Sequence, residues 1–575
     1  MNTTTIKKTN FLGPLLFTIV ILSLPSVVYA ASETTVTNWY STLPPVVAVI
    51  FAFITRKLLL SLGSAIALGS FLFALENSQG MVLVDTVTQA GGYLYNNITD
   101  TWNLKVLTFV VLILSMISVI IVAGGLKGIV QHLNQYIRSR RSAKMMTALC
   151  GLIVFIDDYA NTMIVGSSMR SITDSYHVSR EKLAFIVDAT SAPVAGLAIV
   201  STWIGFEVGL FGDVSQSLSL GKDGYSMFFD AFAFRFYCIL MLIFVFINIY
   251  MGRDFGGMFA AEHRATTTGK LLADDANPQT SASFSLVKTE KNANITALTA
   301  LIPFATLFIV LIFGLWFDGG GLTHFKESAL TLFQLSAWHD IISHVKNSTT
   351  ILLISALVGL ITAFMLALLM AQVKFPFIFQ AIKSGARSSL LPIMILLLAW
   401  SLKSVCDDLN TGEYLVDVLT PHLNPLWFPG LIFLVAAITA FGTGTSWGTM
   451  SILIPITIPV AYQLDGQTYG IVTMISLGAI LDGAIFGDHC SPISDTTIMS
   501  SIASNCDHLH HVKTQIPYSL LVAFVALFFG YLPAAMGISP VISYVSAGFI
   551  LAGFLYYFGK RNKLNLSQSK VNKST

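Results

Sequence analysis

Long uncharged apolar runs alternate with short polar stretches along most of this chain. The runs Leu58–Leu75, Val106–Leu126, Thr296–Phe317, Ile351–Gln372, Ser519–Ile538 and Pro540–Gly559 reach the ~18 residues at which an apolar stretch reads as a transmembrane helix. Other apolar segments are interrupted. Met145–Val165 turns polar at F-I-D-D-Y-A-N-T, Phe155 to Thr162. Leu183–Leu210 is broken by D-A-T-S-A-P, Asp188 to Pro193. Pro425–Ala461 holds F-G-T-G-T-S-W-G-T, Phe441 to Thr449. Ile471–Asp495 is apolar to Phe486, Asp482 apart, and leads into D-H-C-S-P-I-S-D-T-T, Asp488 to Thr497. Irregular polar backbone at that depth is tolerated only where it is buried in protein or lines a watery cavity.

The cations orient these segments. Arg56 and Lys57; Lys127 to Lys144; Arg170, Arg180 and Lys182; Lys374, Lys383 and Arg387; and Lys560, Arg561 and Lys563 fall between spans and mark cytoplasmic ends. The first interrupted segment then enters and leaves from inside, and Pro425–Ala461 enters and leaves from outside. Phe155-x-x-Asp158-x-x-Asn161-Thr162 takes the place of Phe441-x-x-Gly444-x-Ser446, and Asp188-x-x-Ser191-x-Pro193 that of Asp488-x-x-Ser491-Pro492. The pattern predicts an all-α polytopic membrane protein of two inverted-topology repeats, each with a re-entrant hairpin and a broken transmembrane helix. Residues 43–250 form the first repeat, 251–293 a hydrophilic cytoplasmic linker, 296–538 the second, inverted repeat, 540–559 an extra C-terminal helix and 560–575 a cytoplasmic tail. Lys7 and Lys8 before an apolar stretch, with Val28-Tyr29-Ala30 at its end, predict a secretory signal over 1–30 in preference to an uncleaved signal anchor.

Composition agrees. Of 575 residues 54% are hydrophobic and 11% charged, against about 25% charged in soluble proteins. The spans have helical length, which excludes a β-barrel. A net charge of +2 gives no basic excess for nucleic acid, and the five cysteines include no C-x-x-C pair, so neither a disulfide framework nor a zinc site is indicated. No catalytic nucleophile or cofactor motif appears, and the chain is not expected to be an enzyme.

The charges within the spans are mostly acidic: Asp157, Asp158, Asp188, Glu207, Asp407, Asp408, Asp482, Asp488 and Asp495, against Lys403 and Arg235. A charge at mid-bilayer costs at least ~2.5 kcal/mol, so such groups mark ion paths, and their sign points to a cation. Oxygen ligands for a hard cation surround them: Asn161, Thr162, Thr190, Ser191, Thr443, Thr445, Ser446, Ser491, Ser494, Thr496 and Thr497, with glycines and prolines at the same breaks. Blander readings stand beside these. Asp157 and Asp158 would also serve as helix caps, Asp482 as the cap of a break, and Lys403 with Asp407 or Asp408 as a helical ion pair or a gate. The serines and threonines would bond their own backbone. Asp507–Lys513, with His508, His510 and His511, reads as a solvated cytoplasmic loop.

The motifs F-I-D-D-Y-A-N-T, V-D-A-T-S-A-P-V-A with S-T-W-I-G-F-E (Val187 to Glu207), F-G-T-G-T-S-W-G-T and F-G-D-H-C-S-P-I-S-D-T-T resemble those of the NhaC-type sodium/proton antiporters of the ion transporter superfamily, over roughly Leu43 to Ile538. The resemblance implies a multi-pass exchanger of a bacterial inner membrane, working by alternating access, with its C-terminus in the cytoplasm. Sodium and protons are then transported substrates, with sodium at the oxygen site above, and no cofactor is expected. The family also includes members similar to malate/lactate exchangers. Sodium- or proton-coupled transport of a small organic anion or an amino acid therefore stays open, as does assembly into a homodimer.

Overall fold

The computed structural model describes residues 38–562, apart from 56, 78–79, 279–288, 291–292, 328–333, 335–336, 339–340 and 343. The expected signal over 1–30 lies outside the described residues, as does the tail from 563 onward. Among the described residues, nine helices are long and apolar enough to cross a membrane. A tenth span forms if Gly224–Phe232 and Phe236–Met251, which meet at 48°, make one bent crossing. Each apolar run singled out in the sequence lies largely in one of the nine. Helices satisfy their own backbone, which lipid cannot do.

Eleven helices carry the rest of the argument. They are α1 (Arg140–Ile153), α2 (Asp158–Ser175), α3 (Arg180–Ala189), α4 (Thr202–Ser217), α5 (Phe236–Met251), α6 (Gly256–Thr268), α7 (Phe428–Thr443), α8 (Ser446–Leu464), α9 (Ile471–Cys490), α10 (Asp495–Ala503) and α11 (His508–Ala526). The helix ends fall at the polar motifs for local reasons. Asp157 caps α2 by accepting from the Ala160 amide at 2.8 Å. Thr445 caps α8 through the Gly448 amide, and Asp507 caps α11 through the His510 amide. Such caps satisfy amides that have no partner within the helix. Gly444, at φ +70°, closes α7 in the left-handed conformation that glycine adopts without strain.

α7 and α9 meet backbone to backbone. A Cβ at Gly487 would stand 2.1 Å from the Ala437 carbonyl oxygen, and one at Gly483 2.4 Å from that of Phe433. Small residues permit such approach between membrane helices. Gly487→Leu is therefore expected to abolish recovery of monodisperse protein in detergent. Gly553→Leu, where a Cβ meets nothing within 4 Å, leaves it unchanged; size-exclusion chromatography reads the difference.

Two polar stretches between the spans hold ordered helix. Glu76–Lys105 contains the helix Val82–Thr99. The segment expected as a featureless linker begins with β1 (Arg253–Asp254), which pairs antiparallel with β2 (Lys560–Arg561), and continues into α6. Two of its acids are buried against partners. Glu262 meets Arg140 at 2.7 Å, Lys144 at 3.2 Å and the Ser179 amide at 2.9 Å. Asp254 meets Lys182 at 2.7 Å and the Tyr518 hydroxyl at 2.7 Å. Burial alone would raise both carboxyls. Lys144 and Arg140 around Glu262, and Lys182 and Lys144 around Asp254, outweigh it and hold both below the usual carboxylate range. The polar composition of 251–293 hides this, because the partners lie on α1, α3 and α11.

Candidate functional site

The polar breaks gather in the middle of the fold, where α2 packs on α3 and α10, and α11 packs on α3, α9 and α10. Asp188 and Asp488 occupy corresponding places, in the last turns of α3 and α9. Asp188 Oδ2 accepts from Gln515 Nε2 at 2.6 Å and lies 3.2 Å from His511 Nε2 and 3.7 Å from His489 Nε2. Asp188 Oδ1 is buried with no hydrogen-bond partner. Asp488 Oδ2 accepts from Ser446 Oγ at 3.3 Å, and its Oδ1 is likewise unpartnered. Gln515 also donates to the His489 carbonyl, and Tyr237 bonds His489 Nδ1 at 2.9 Å. A shared frame of α5, α9 and α11 thus holds the two acids.

The remaining candidates divide into two groups. Asp158, Asp488 and Asp495 lie within electrostatic reach of one another. Asp495 takes the Tyr159 hydroxyl and the Thr496 amide. Asn161 spends its amide on the carbonyls of Gly151 and Thr190, at 2.7 and 2.8 Å, while its Oδ1 and the Thr162 hydroxyl are buried without partners. Ser494 and Thr496 bond each other at 2.9 Å. Others are engaged locally. Asp157 caps α2 and accepts from Thr202 at 3.2 Å. Ser191 donates to the Asp188 carbonyl, Ser491 to that of Phe441 and Thr443 to that of Thr439. Thr445 is the cap of α8.

Lys403, Asp407 and Asp408 stand apart from this cluster. Lys403 pairs with Asp407 at 2.8 Å, as the helical spacing suggested, and with Asp213 at 3.4 Å. Asp408 instead takes the Tyr93 hydroxyl at 2.6 Å and lines a cavity of about 410 Å³ with Asp213, Asp100 and several amide side chains. Asp482, for which capping a helix break is one of two readings, lies inside α9 and pairs with Arg235 at 2.8 Å.

Sequence reasoning missed His511 and Gln515. H-L-H-H-V-K-T-Q reads as solvent-exposed, yet it opens α11, and His511 and Gln515 are fully buried. Their spacing of four, one face of a helix, after the cap residue Asp507 was the available signal. Gln515→Leu removes a charge-assisted bond worth ~1.5–3 kcal/mol and is expected to weaken transport roughly 10- to 100-fold. His510→Ala, whose partner Asp275 is exposed, leaves it near normal; initial rates in vesicles compare the two.

Among the described residues no group of three or more His, Cys, Asp or Glu side chains is arranged for a metal ion. What the centre offers is buried oxygen without a donor: Asp188 Oδ1, Asp488 Oδ1, Asn161 Oδ1 and Thr162 Oγ1. Oxygen of this kind suits a hard cation, and a buried polar atom with no partner is a cost that a ligand would relieve.

Many apolar spans, interrupted where buried acids collect, define a multi-pass membrane transporter. The chain belongs to the Na+/H+ antiporter family, whose model matches residues 194–533. An uncharacterized protein of Haemophilus influenzae is 28% identical over 525 residues, covering 91% of this chain and 96% of its own. The malate-2H+/Na+-lactate antiporter of Bacillus subtilis is 31% identical over 141 residues, which is 24% of this chain and 29% of that one. The solved YdaH transporter of Alcanivorax borkumensis shares the fold, with a TM-score of 0.55 at 14% identity over 86% of this chain and 99% of that one.

Proposed function

We propose that the chain exchanges sodium for protons by alternating access across a bacterial inner membrane, with its C-terminus in the cytoplasm. The observation that carries this reading is the pair Asp188 and Asp488, each ending a helix at a break and each with one buried oxygen that no protein donor reaches. A carboxylate that coordinates sodium cannot also bind a proton on that oxygen, so the two substrates exclude each other and their fluxes couple. Asp158, Asp495, Asn161, Thr162, Ser446, Ser494 and Thr496 supply further oxygens. Asp157, Ser191, Thr443, Thr445 and Ser491 hold the breaks open as caps and anchors, and Lys403 with Asp407 and Asp408 stands at one end as a gate. The correspondence of α3 with α9 and of the α1–α2 break with the α7–α8 break supports two inverted repeats, one rocking against the other around the site. The reading requires no cofactor.

Everted vesicles or proteoliposomes with an entrapped pH dye test this. Sodium, and not choline, is expected to collapse a preformed proton gradient. The similarity to the Bacillus subtilis antiporter favours a second reading, exchange of a small carboxylate linked to sodium and protons. Counterflow of labelled malate or lactate without a response to sodium alone would replace the first reading by the second.

A further inference from the structure

We propose that Glu207 is a separate proton-binding site, set at the junction of the two broken helices and distinct from the cluster around Asp188 and Asp488. Glu207 lies on α4 and is 0% exposed. Neither of its carboxylate oxygens has a hydrogen-bond partner. The cation facing it is Arg235, whose Nη1 stands 3.5 Å from Oε1. Arg235 is itself fully buried and is committed elsewhere: its Nε donates to Asp482 Oδ1 at 2.8 Å. Asp482 is saturated, accepting also from the Tyr237 amide at 2.6 Å and the Tyr531 hydroxyl at 2.8 Å. Arg235 thus faces two acids with one positive charge, its Nε bonded to Asp482 and its Nη1 without a hydrogen bond, which leaves Glu207 as the surplus acid.

Among the described residues no other group supplies a balancing cation. On α5 the facing titratable groups are Tyr237 and Cys238, the latter 3.9 Å from Arg235 Nη2. Asp230, on the helix Gly224–Phe232 that packs against α4, is paired with Lys222 at 2.6 Å. Lys403, on the helix Leu390–Asp408, is held by Asp407 and Asp213. α8 carries no charged residue, and the one on Thr101–Val122 is Lys105, in its first turns. An unpaired ionised carboxylate is very costly in such surroundings, and a bound proton removes the charge. A metal cation would need several oxygen ligands and would sit beside a guanidinium of like sign. A proton needs only the carboxylate.

The position gives the site a use. Arg235 touches the first broken helix, since a Cβ at Gly196 would stand 3.0 Å from its Nη2, and Asp482 belongs to the second. α4 itself runs from Thr202, bonded to Asp157, past Glu207 to Asp213 at the polar cavity. When the broken helices shift against each other, the balance between Arg235 and its two acids changes. The Glu207 O–H bond then opens, the electron pair stays on oxygen and the proton leaves toward one side. This role in transport rests on the exchange reading; the protonated carboxyl does not.

Infrared spectra of the full chain in lipid vesicles, taken from acidic to alkaline pH, read the carboxyl directly. A protonated carboxyl band present at neutral pH is expected, and Glu207→Gln is expected to remove it. A carboxyl region unchanged in Glu207→Gln would overturn the proposal. Thermal unfolding gives a second reading. Glu207→Gln keeps shape and neutrality and is expected to hold the melting temperature, while Asp482→Asn strips Arg235 of its anion and lowers it by several degrees. Equal falls in the two variants would show Glu207 to be an ionised partner of Arg235 and would also overturn the proposal. A Glu207 band in a protein that shows no sodium-dependent exchange leaves this site standing and removes only the antiport reading.

Discussion

Asp488→Asn is expected to abolish the sodium-driven collapse of a proton gradient. The amide keeps the shape of the carboxylate and can still accept from Ser446, which lies 3.3 Å from Oδ2, so α9 should end where it does now. What is lost is the charge beside the unpartnered Oδ1. Removing a charged ligand that contributes about 3 kcal/mol corresponds to a fall of roughly 100-fold. Asp188→Asn is expected to be at least as severe. Its new NH2 group would face Gln515, His511 and His489, which now converge on the carboxylate, so folding suffers along with transport. Proton-gradient dissipation in everted vesicles, with protein level normalised by immunoblot, distinguishes the two. Exchange at the normal rate in Asp488→Asn would remove that residue from the ion site.

Glu262→Ala is expected to produce the largest loss of stability. Truncating one side of a buried ion pair costs ~3–5 kcal/mol, because the partner charge stays behind. Here two cations, Arg140 and Lys144, and the Ser179 amide all lose their acceptor. Arg140 retains 13% exposure, so water recovers part of the loss and the lower end of that range is expected. The pH dependence has a fixed sign. Glu262 and Asp254 are held below the usual carboxylate range in the folded protein. Their stabilisation is therefore present above the unfolded values, about 3.9 for Asp and 4.3 for Glu, and is lost progressively as pH falls below them toward the lowered folded values. Thermal unfolding in detergent at a series of pH values should show that acid-side loss in the unmodified protein and a weaker one in Glu262→Ala.

Much of this arrangement was legible in the sequence, for identifiable reasons. Polar residues cannot persist in a long apolar segment unless protein surrounds them, so D-D-Y-A-N-T and D-H-C-S-P announced their breaks, and Asp157, with a cap as one of its readings, marks where the next helix begins. Chemistry supplied from elsewhere in the chain was not legible. Gln515 and His511 sit in a polar stretch whose burial arises only when α11 packs on α3 and α9. Glu262 and Asp254 look like ordinary solvated linker charges until α1 and α3 bring Lys144 and Lys182 to them. Arg235 and Asp482 are 247 positions apart, and no local pattern connects them.

The contact of α7 with α9 sets the kinematics of the molecule. At Gly483 and Gly487 the two backbones leave no room even for a methyl group. A slide of one turn, about four residues, would set the Cβ of Ala479 against the Phe433 carbonyl or, in the other direction, that of Ser491 against the Ala437 carbonyl. The two helices therefore travel as one rigid body, and Asp488 and Ser491, the latter bonded to Phe441 of α7, ride with it. Relative displacement has to be taken up at another seam. The interface of α2 with α10, which holds the Tyr159–Asp495 bond, is itself close-packed, since a Cβ at Gly166 would stand 2.6 Å from that of Ala503, so a seam away from both glycine contacts is expected to carry it.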